Sequence, residues 1–182
     1  LSKGMWRGNI VMEPGSYQLP EVVVTARYAK PAEYAGTTKY DDFFRRRKLG
    51  LGTYILRQDI ERSNAFHTIE ILRMVPGVKT DINGNPALGK VSFSGCGYRD
   101  TDFDATVWID GQRVVPDRLD PDPGRRVGEM INRIGPSNIE MMEVYRGLAQ
   151  IPGEFHWNGC AAIVIWTRYN PVRDTTARKN PP

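Results

Sequence analysis

The longest uninterrupted apolar stretch of the chain, residues 161–166 (AAIVIW), has the length of a β-strand. A helix that crosses a bilayer needs about 20 apolar residues, so we expect no membrane-spanning helix in this sequence. As a strand, this stretch would be apolar on both faces, which is typical of a central strand that is covered on each side. We therefore expect residues 160–168 to form the middle strand of a sheet.

Short elements of both kinds surround this strand, because 18 glycines and 13 prolines divide the 182 residues into brief segments. Strands and helices do not alternate regularly, so the predicted fold class is α+β with a small mixed β-sheet and short helices. Further strands are predicted at residues 53–56, 78–82, 90–94, 106–110, 112–115 and, after an initial turn, in 139–146. Helices are predicted at residues 40–48, 57–62, 66–74 and 127–134.

Turn-forming residues predict where several of these elements begin and end. Asn64 is expected to cap the helix at 66–74, and Pro76-Gly77 to end it. Asn83-Gly84 predicts a hairpin between the strands on either side. Residues 116–125 are expected to form a surface loop.

The length favours one domain with added arms. We expect an extended N-terminal arm at residues 1–38, which contains a strand at 19–27, a compact domain at 39–168 and an extended tail at 169–182. The tail is polar and contains prolines and arginines. Irregular termini of this kind bury area when a partner is present.

Two cysteines, Cys96 and Cys160, occur without a Cys-x-x-Cys pair and without four ligands at short paired spacings, which argues against a zinc site. An even pair of lone cysteines suits a disulfide in an oxidising compartment, and the alternative is two buried free thiols. Such a bridge would restrain the unfolded chain by roughly 4 kcal/mol in the loop-entropy account.

The net charge of +4 is modest, and the clearest basic cluster is Arg45, Arg46, Arg47 and Lys48, in the last turn of a predicted helix. Such a cluster can face anionic lipid or an acidic partner, or it can form an ordinary solvated helix face. We expect no nucleic-acid partner.

Sequence patterns of catalysis are missing: there is no Gly-x-Ser-x-Gly and no phosphate-binding glycine loop. We therefore predict a protein that is not an enzyme and has no cofactor. Asp100, Asp102 and Asp104 alternate as calcium ligands can, but Ala105 and Gly111 stand where an EF-hand needs Gly and Glu. A looser calcium site that adds Asp117, Asp120 or Asp122 remains a weak alternative to two solvated acidic loops.

Three blocks of sequence occur in an order that resembles the plug domain of TonB-dependent outer-membrane receptors. They are LPEVVVTAR at 19–27, then ILRMVPGV at 71–78 with WIDGQRV at 108–114, then IEMMEVYRG at 139–147 with AAIVIWTR at 161–168. Residues 1–18 resemble the end of a carboxypeptidase-regulatory-like β-sandwich.

The resemblance implies a role for the first block. In that family it is the energy-coupling box, an extended peptide that adds a strand to the sheet of a periplasmic partner. Strand addition would use Leu19, Glu21, Val22, Val23, Val24 and Thr25. The alternative is that this strand pairs with the protein's own sheet or with an upstream module, since a valine run by itself indicates only a strand.

A receptor of this family continues into a barrel of 22 strands, whereas 14 residues follow Arg168 here. We therefore expect a freestanding plug that is periplasmic and membrane-associated. Its expected role is a structural accessory subunit on the periplasmic face of a membrane-protein complex. The alternatives are a receptor plug fragment or detached plug that engages a TonB-like protein and, less favoured, a calcium-dependent binder.

Overall fold

The computed structural model describes residues 30–82, 84–94, 96, 105–115 and 121–168. The strands are β1 (Thr53–Leu56), β2 (Val78–Asp81), β3 (Lys90–Phe93), β4 (Thr106–Ile109), β5 (Gln112–Val114), β6 (Ile139–Tyr145) and β7 (Ala162–Thr167). The α-helices are α1 (Asp41–Leu49), α2 (Arg57–Arg62), α3 (Thr68–Ile71) and α4 (Pro123–Asn132). None of the helices in these ranges is long and apolar enough to cross a bilayer.

Five strands form one mixed sheet in the order β1-β6-β7-β4-β5. The β7–β4 pair is parallel, and the other pairs are antiparallel. β7 lies in the middle, as its apolar sequence predicts. β2 and β3 form a separate antiparallel hairpin, with Asp81 opposite Lys90. The predicted fold class, α+β with a small mixed sheet, is confirmed.

Side chains alternate between the two faces of the large sheet, and each face builds its own core. Met142 and Val144 of β6 point to one face, and Met141 and Tyr145 to the other. Ile139 shares the face of Met142 because the register with β7 shifts between Ile139 and Met141, and a bulge of this kind reverses the alternation.

We call these faces the aliphatic face and the aromatic face. The core on the aliphatic face includes Ile55, Val107, Met142, Val144, Ile163 and Ile165, with side chains of α2, α3, α4, β2 and β3. The core on the aromatic face includes Tyr54, Trp108, Met141, Tyr145, Val164 and Trp166, with Tyr34, Tyr40, Phe43, Phe44, Ile151 and Phe155. Helix α1 therefore lies alone on the side opposite the other three helices.

Close approach between α4 and the chain before β3 depends on glycine. A Cβ on Gly128 would lie 2.0 Å from the carbonyl oxygen of Gly89, and one on Gly124 would lie 2.7 Å from that of Val91. Both distances are too short for a real side chain, so the two glycines let the helix backbone touch the hairpin backbone.

The prediction for the start of α4 was wrong by about one turn. The helix begins at Pro123, inside the predicted loop at 116–125. The side chain of Asp122 caps it by accepting a hydrogen bond from the backbone N–H of Arg125 at 3.2 Å. The Asp-Pro pair is a helix-start signal that the apolar spacing from residue 127 onward does not contain.

The predicted helix at 66–74 is a single α-helical turn, α3, followed by a 3-10 turn at Leu72–Met74. Asn64 does not cap it: its φ is +49°, and His67 occupies the capping position. The Glu70 carboxylate instead accepts hydrogen bonds from the backbone N–H groups of Phe66 (2.8 Å) and His67 (2.9 Å). β6 is a strand from Ile139 onward, without the predicted initial turn.

Candidate functional site

The predicted basic cluster is divided by the structure. Arg46 is only 2% exposed, while Arg45 and Lys48 lie on the surface. Arg46 follows buried Phe43 by three positions, so both side chains leave α1 toward the aromatic face. The interpretation of all four residues as one surface patch is therefore wrong for Arg46.

Arg46 is paired with Glu143, a fully buried glutamate in β6. The guanidinium donates from Nη2 to Oε1 at 2.7 Å and from Nε to Oε2 at 2.9 Å. The same carboxylate accepts the indole N–H of Trp166 at 2.6 Å and the hydroxyl of Tyr145 at 2.5 Å. The guanidinium thus neutralises the charge of the buried carboxylate, and four donors together satisfy its two oxygen atoms.

Further contacts hold the guanidinium itself. Its Nη1 donates to Glu154 at 2.5 Å, and its central carbon lies 4.9 Å from the ring centroid of Phe155. Burial alone would lower the pKa of Arg46, but the hydrogen bonds and the charge of Glu143 outweigh it and raise that pKa above its usual value. We call Arg46, Glu143, Glu154, Tyr145 and Trp166 the polar anchor.

Tyr54 connects the polar anchor to β1, the edge strand of the large sheet. The hydroxyl of Tyr54 in β1 donates to the carbonyl of Arg46 at 2.7 Å and lies 3.4 Å from the hydroxyl of Tyr145. Burial raises the pKa of Tyr54, and burial together with the Glu143 carboxylate raises that of Tyr145. Both remain neutral donors at neutral pH.

A second set of contacts fixes residues 30–40 against one end of the sheet. Lys39 Nζ donates to the carbonyl of Thr167 at 2.8 Å and lies 3.2 Å from Asp110. The Tyr40 hydroxyl donates to the same carbonyl at 2.9 Å, and Tyr34 donates to Glu140 at 2.7 Å. We call this the arm end: β7 finishes here, β6 begins here, and both residue 30 and residue 168 lie beside it.

Cys96 and Cys160 form a disulfide with a Cα–Cα distance of 5.6 Å. The bridge joins a residue that follows β3 to one that precedes β7, and both cysteines pack against the core of the aliphatic face. The predicted disulfide is present, and the alternative of two free thiols is contradicted.

Other predicted site residues lie outside the part of the chain that the structure describes. They are Leu19, Glu21, Val22, Val23, Val24 and Thr25 of the predicted strand-addition segment, and Asp100, Asp102 and Asp104 of the weak calcium hypothesis. Within the described ranges, no group of His, Cys, Asp or Glu could hold a metal ion. Asp122, from the wider calcium hypothesis, caps α4 and pairs with Lys90.

Comparison with protein families identifies the chain. A sequence model of the TonB-dependent receptor plug domain matches residues 52–155, which is more than half of the 182 residues. The chain belongs to this family. The match starts immediately before β1 and stops at Phe155, so α1 and β7 lie outside it. The polar anchor joins both of these elements to β6, which makes them part of the same plug-domain core.

The solved structures that resemble part of this chain are receptors several times longer. A mutant of the ferric enterobactin receptor from Pseudomonas aeruginosa, in complex with enterobactin, is 21% identical with a TM-score of 0.49; the match covers 65% of this chain and 18% of the receptor. The ferric yersiniabactin uptake receptor from Yersinia pestis is 15% identical with a TM-score of 0.45, over 65% and 17%. The chain thus spans less than a fifth of these receptors. No curated protein matches it.

The polar anchor was not predicted, although the sequence contains a signal for it. Glu143 is the only charge among the five residues from Met141 to Tyr145, the apolar part of β6. A carboxylate in a buried strand needs a hydrogen-bonded cation, and a basic residue that follows Phe43 by a helical turn is a natural donor. That pairing spans 97 positions, so local patterns do not reveal it.

Proposed function

We propose that this plug domain is an exported, non-enzymatic binding module that docks as an accessory subunit on the periplasmic face of a membrane-protein complex. The observation that carries the proposal is the arm end. Residues 30–40 are fastened there by Lys39, Tyr40 and Tyr34, so the described part of the chain begins at a fixed point on the sheet. A tether with a fixed origin suits attachment to another molecule.

Arg168, the last residue of the described part of the chain, also lies at the arm end. The backbone N–H of Arg168 donates to the carbonyl of Asn138 at 2.9 Å, and its side chain lies 3.4 Å from Glu140. The described part of the chain therefore begins and ends beside the arm end, and we expect a single partner there to contact both residues 1–29 and residues 169–182. Two attachments to one partner raise the effective concentration of each and strengthen binding without any new contact.

Strand addition by residues 19–27 is the proposed mode of attachment for the N-terminal arm. Main-chain hydrogen bonds to the edge of a partner sheet would give affinity. The side chains of Val22, Val23 and Val24, which would alternate between the two faces of the added strand, would give selectivity. β-Branched residues favour the extended backbone that this mode requires.

A second candidate is favoured by the family itself. Plug domains of this family belong to TonB-dependent receptors, so the same segment is suited to a TonB-like energy-coupling protein. In this case the partner at the arm end is that protein, and the chain is a plug that works in outer-membrane uptake.

Co-isolation from native membranes tests both candidates. The tagged full chain is crosslinked in cells, and its partners are identified by mass spectrometry, for the parent and for Val23→Pro. Proline removes a main-chain donor and blocks strand pairing, whereas the control Val23→Ile keeps the β preference. We expect an integral membrane complex to co-isolate with the parent and with Val23→Ile.

The two candidates differ in the effect of deleting residues 19–27. An accessory subunit keeps most of its partner through the second attachment at 169–182, while a TonB-like protein is lost entirely. Recovery of the parent chain as a monomer with no membrane protein would overturn both.

A further inference from the structure

Three leucines are exposed at the end of the sheet opposite the arm end. Leu49, Leu51 and Leu148 are 60%, 43% and 57% exposed. β1 begins and β6 ends here, since Thr53 pairs antiparallel with Val144. The chain before β1 continues beside β6, because a Cβ on Gly52 would touch the Tyr145 ring at 2.7 Å. We call these three residues the leucine rim.

The leucine rim consists of turn residues. Leu49 ends α1, and Gly50 reverses the chain with a φ of +66°, which glycine adopts without strain. Leu148 follows Gly147 and opens a 3-10 turn. Single exposed leucines are ordinary on protein surfaces, but these three belong to two segments that leave the same end of the β1–β6 pair. Exposed apolar residues gathered at one end of a protein are typical of an interaction site.

Positive charge accompanies this patch. Lys48 is exposed and precedes Leu49. Arg146 lies two residues before Leu148 and is half-buried, with its guanidinium beside Gly77. Residues 43–53 and 144–153 contain no acidic residue. The acids that flank these segments are already paired: Asp42 with Arg45, and both Glu143 and Glu154 with Arg46. An apolar protrusion with basic neighbours is complementary to a layer of anionic headgroups above hydrocarbon.

We propose that the leucine rim, with Lys48 and Arg146, contacts the surface of a bilayer that contains anionic lipid. This inference rests on the proposed function, which puts the chain beside a membrane. A strand of seven residues spans roughly 23 Å, so a plug that rests on its leucine rim holds the arm end away from the lipid. The two ends of the sheet then serve different partners: lipid at one end and protein at the other.

Flotation with vesicles tests the inference on the purified full chain. We expect binding to vesicles of phosphatidylglycerol and phosphatidylethanolamine, little binding to phosphatidylcholine alone, and weaker binding at high salt, because salt screens exposed charges. The triple variant Leu49→Gln, Leu51→Gln, Leu148→Gln should lower the vesicle partition coefficient by about tenfold or more, since the apolar contact area is lost.

Matched controls come from the other parts of the surface. Phe66 is 87% exposed and lies near Thr68, whose hydroxyl donates to Ile134 close to the start of β6. Phe66→Gln removes an apolar group that is more exposed than any of the three leucines but lies away from the leucine rim, and it should leave vesicle binding unchanged. Lys48→Glu should weaken binding to anionic vesicles, while Arg62→Glu, on α2 beyond the other end of β1, should have a much smaller effect. Thermal melts followed by circular dichroism show that each variant is folded.

The result that overturns the inference is a folded parent chain that does not float with anionic vesicles, or a Phe66→Gln variant that binds as weakly as the triple variant. If the triple variant still binds vesicles but no longer co-isolates a membrane protein, the leucine rim is a protein interface and the lipid proposal fails. The vesicles contain no protein, so failure there leaves the co-isolation test of the proposed function standing.

Discussion

The aliphatic and aromatic faces of the sheet are built by the same strands but are held by different interactions. On the aliphatic face, Ile, Val and Met side chains pack beneath three helices and a hairpin. On the aromatic face, one helix lies over tyrosine, phenylalanine and tryptophan rings that surround the buried Arg46–Glu143 pair. β6 and β7 supply alternate residues to both.

The two kinds of interaction differ in how precisely they position the helices that pack on each face. Apolar packing is non-directional and tolerates exchange of side chains of similar volume. Charge-assisted hydrogen bonds require particular donors at particular angles, so α1 has one position in which Arg46 meets Glu143. The directional face is the one that carries residues 30–40, the first described segment of the chain.

The largest effect is expected from Glu143→Gln. This change leaves the partly exposed Glu154 as the remaining partner of the buried Arg46 cation. Removing one partner of a buried ion pair costs about 3–5 kcal/mol of unfolding free energy. Chemical denaturation measures it. Glu140→Gln is the matched control on the same strand; its amide oxygen can still accept from Tyr34, and we expect a loss of about 1 kcal/mol. Equal losses would contradict a special role for Glu143.

The disulfide is the corresponding test on the aliphatic face. Its half-cystines are 64 positions apart, and the paired change Cys96→Ser with Cys160→Ser should lower the unfolding free energy by about 4 kcal/mol. Denaturation of the parent chain with and without reductant should show the same difference. Identical midpoints under both conditions would show that the bridge does not restrain the unfolded chain.

A smaller effect is expected from Gly128→Ala, which probes how tightly α4 lies on the hairpin. The new methyl group would overlap the backbone of Gly89, and overpacking of this kind costs about 1–3 kcal/mol. Gly153→Ala is the control, since a Cβ there meets nothing within 4 Å. A Gly128→Ala protein as stable as the parent would mean that α4 is free to shift.

The smallest effect at neutral pH concerns the tyrosines of the aromatic face. Folding raises the pKa of Tyr34, Tyr54 and Tyr145, chiefly through burial. The stability tied to their neutral forms is complete below the pKa of an unfolded tyrosine, about 10, and is lost as the pH rises toward the folded values. Tyrosinate absorbance should therefore show that some of the eight tyrosines ionise at a higher pH than the others, at the pH where the protein unfolds. Simple titration of all eight near pH 10 would contradict this.

Local signals predicted much of the fold. The strand at Thr53–Leu56 and the helix at Arg57–Arg62 have the predicted bounds, and the apolar run at 161–166 lies in the central strand. Errors occurred where a side chain overrides the apolar spacing. Asp122 starts α4 before its apolar residues begin, and Glu70 fixes the start of α3 by binding backbone N–H groups from Phe66 and His67.

The candidate site was less accessible to sequence reasoning. Arg46 has the same local sequence context as its exposed neighbour Arg45, and only the packing of α1 on β6 assigns them to different environments. The leucine rim is likewise brought together from residues 49–51 and 148 by the β1–β6 pairing. The disulfide was predicted because the chain has just two cysteines, which leaves one pairing.

Native-state hydrogen exchange tests most directly whether the polar anchor makes α1 part of the plug-domain core. The account predicts that amide hydrogens in the last turn of α1 exchange only through global unfolding, with the same free energy as those of Ile163 and Ile165 in β7. The opposite result is that the α1 amides exchange through a local opening of much lower free energy while those of β7 stay protected. It would show that Arg46 and Glu143 do not fasten α1 to the sheet.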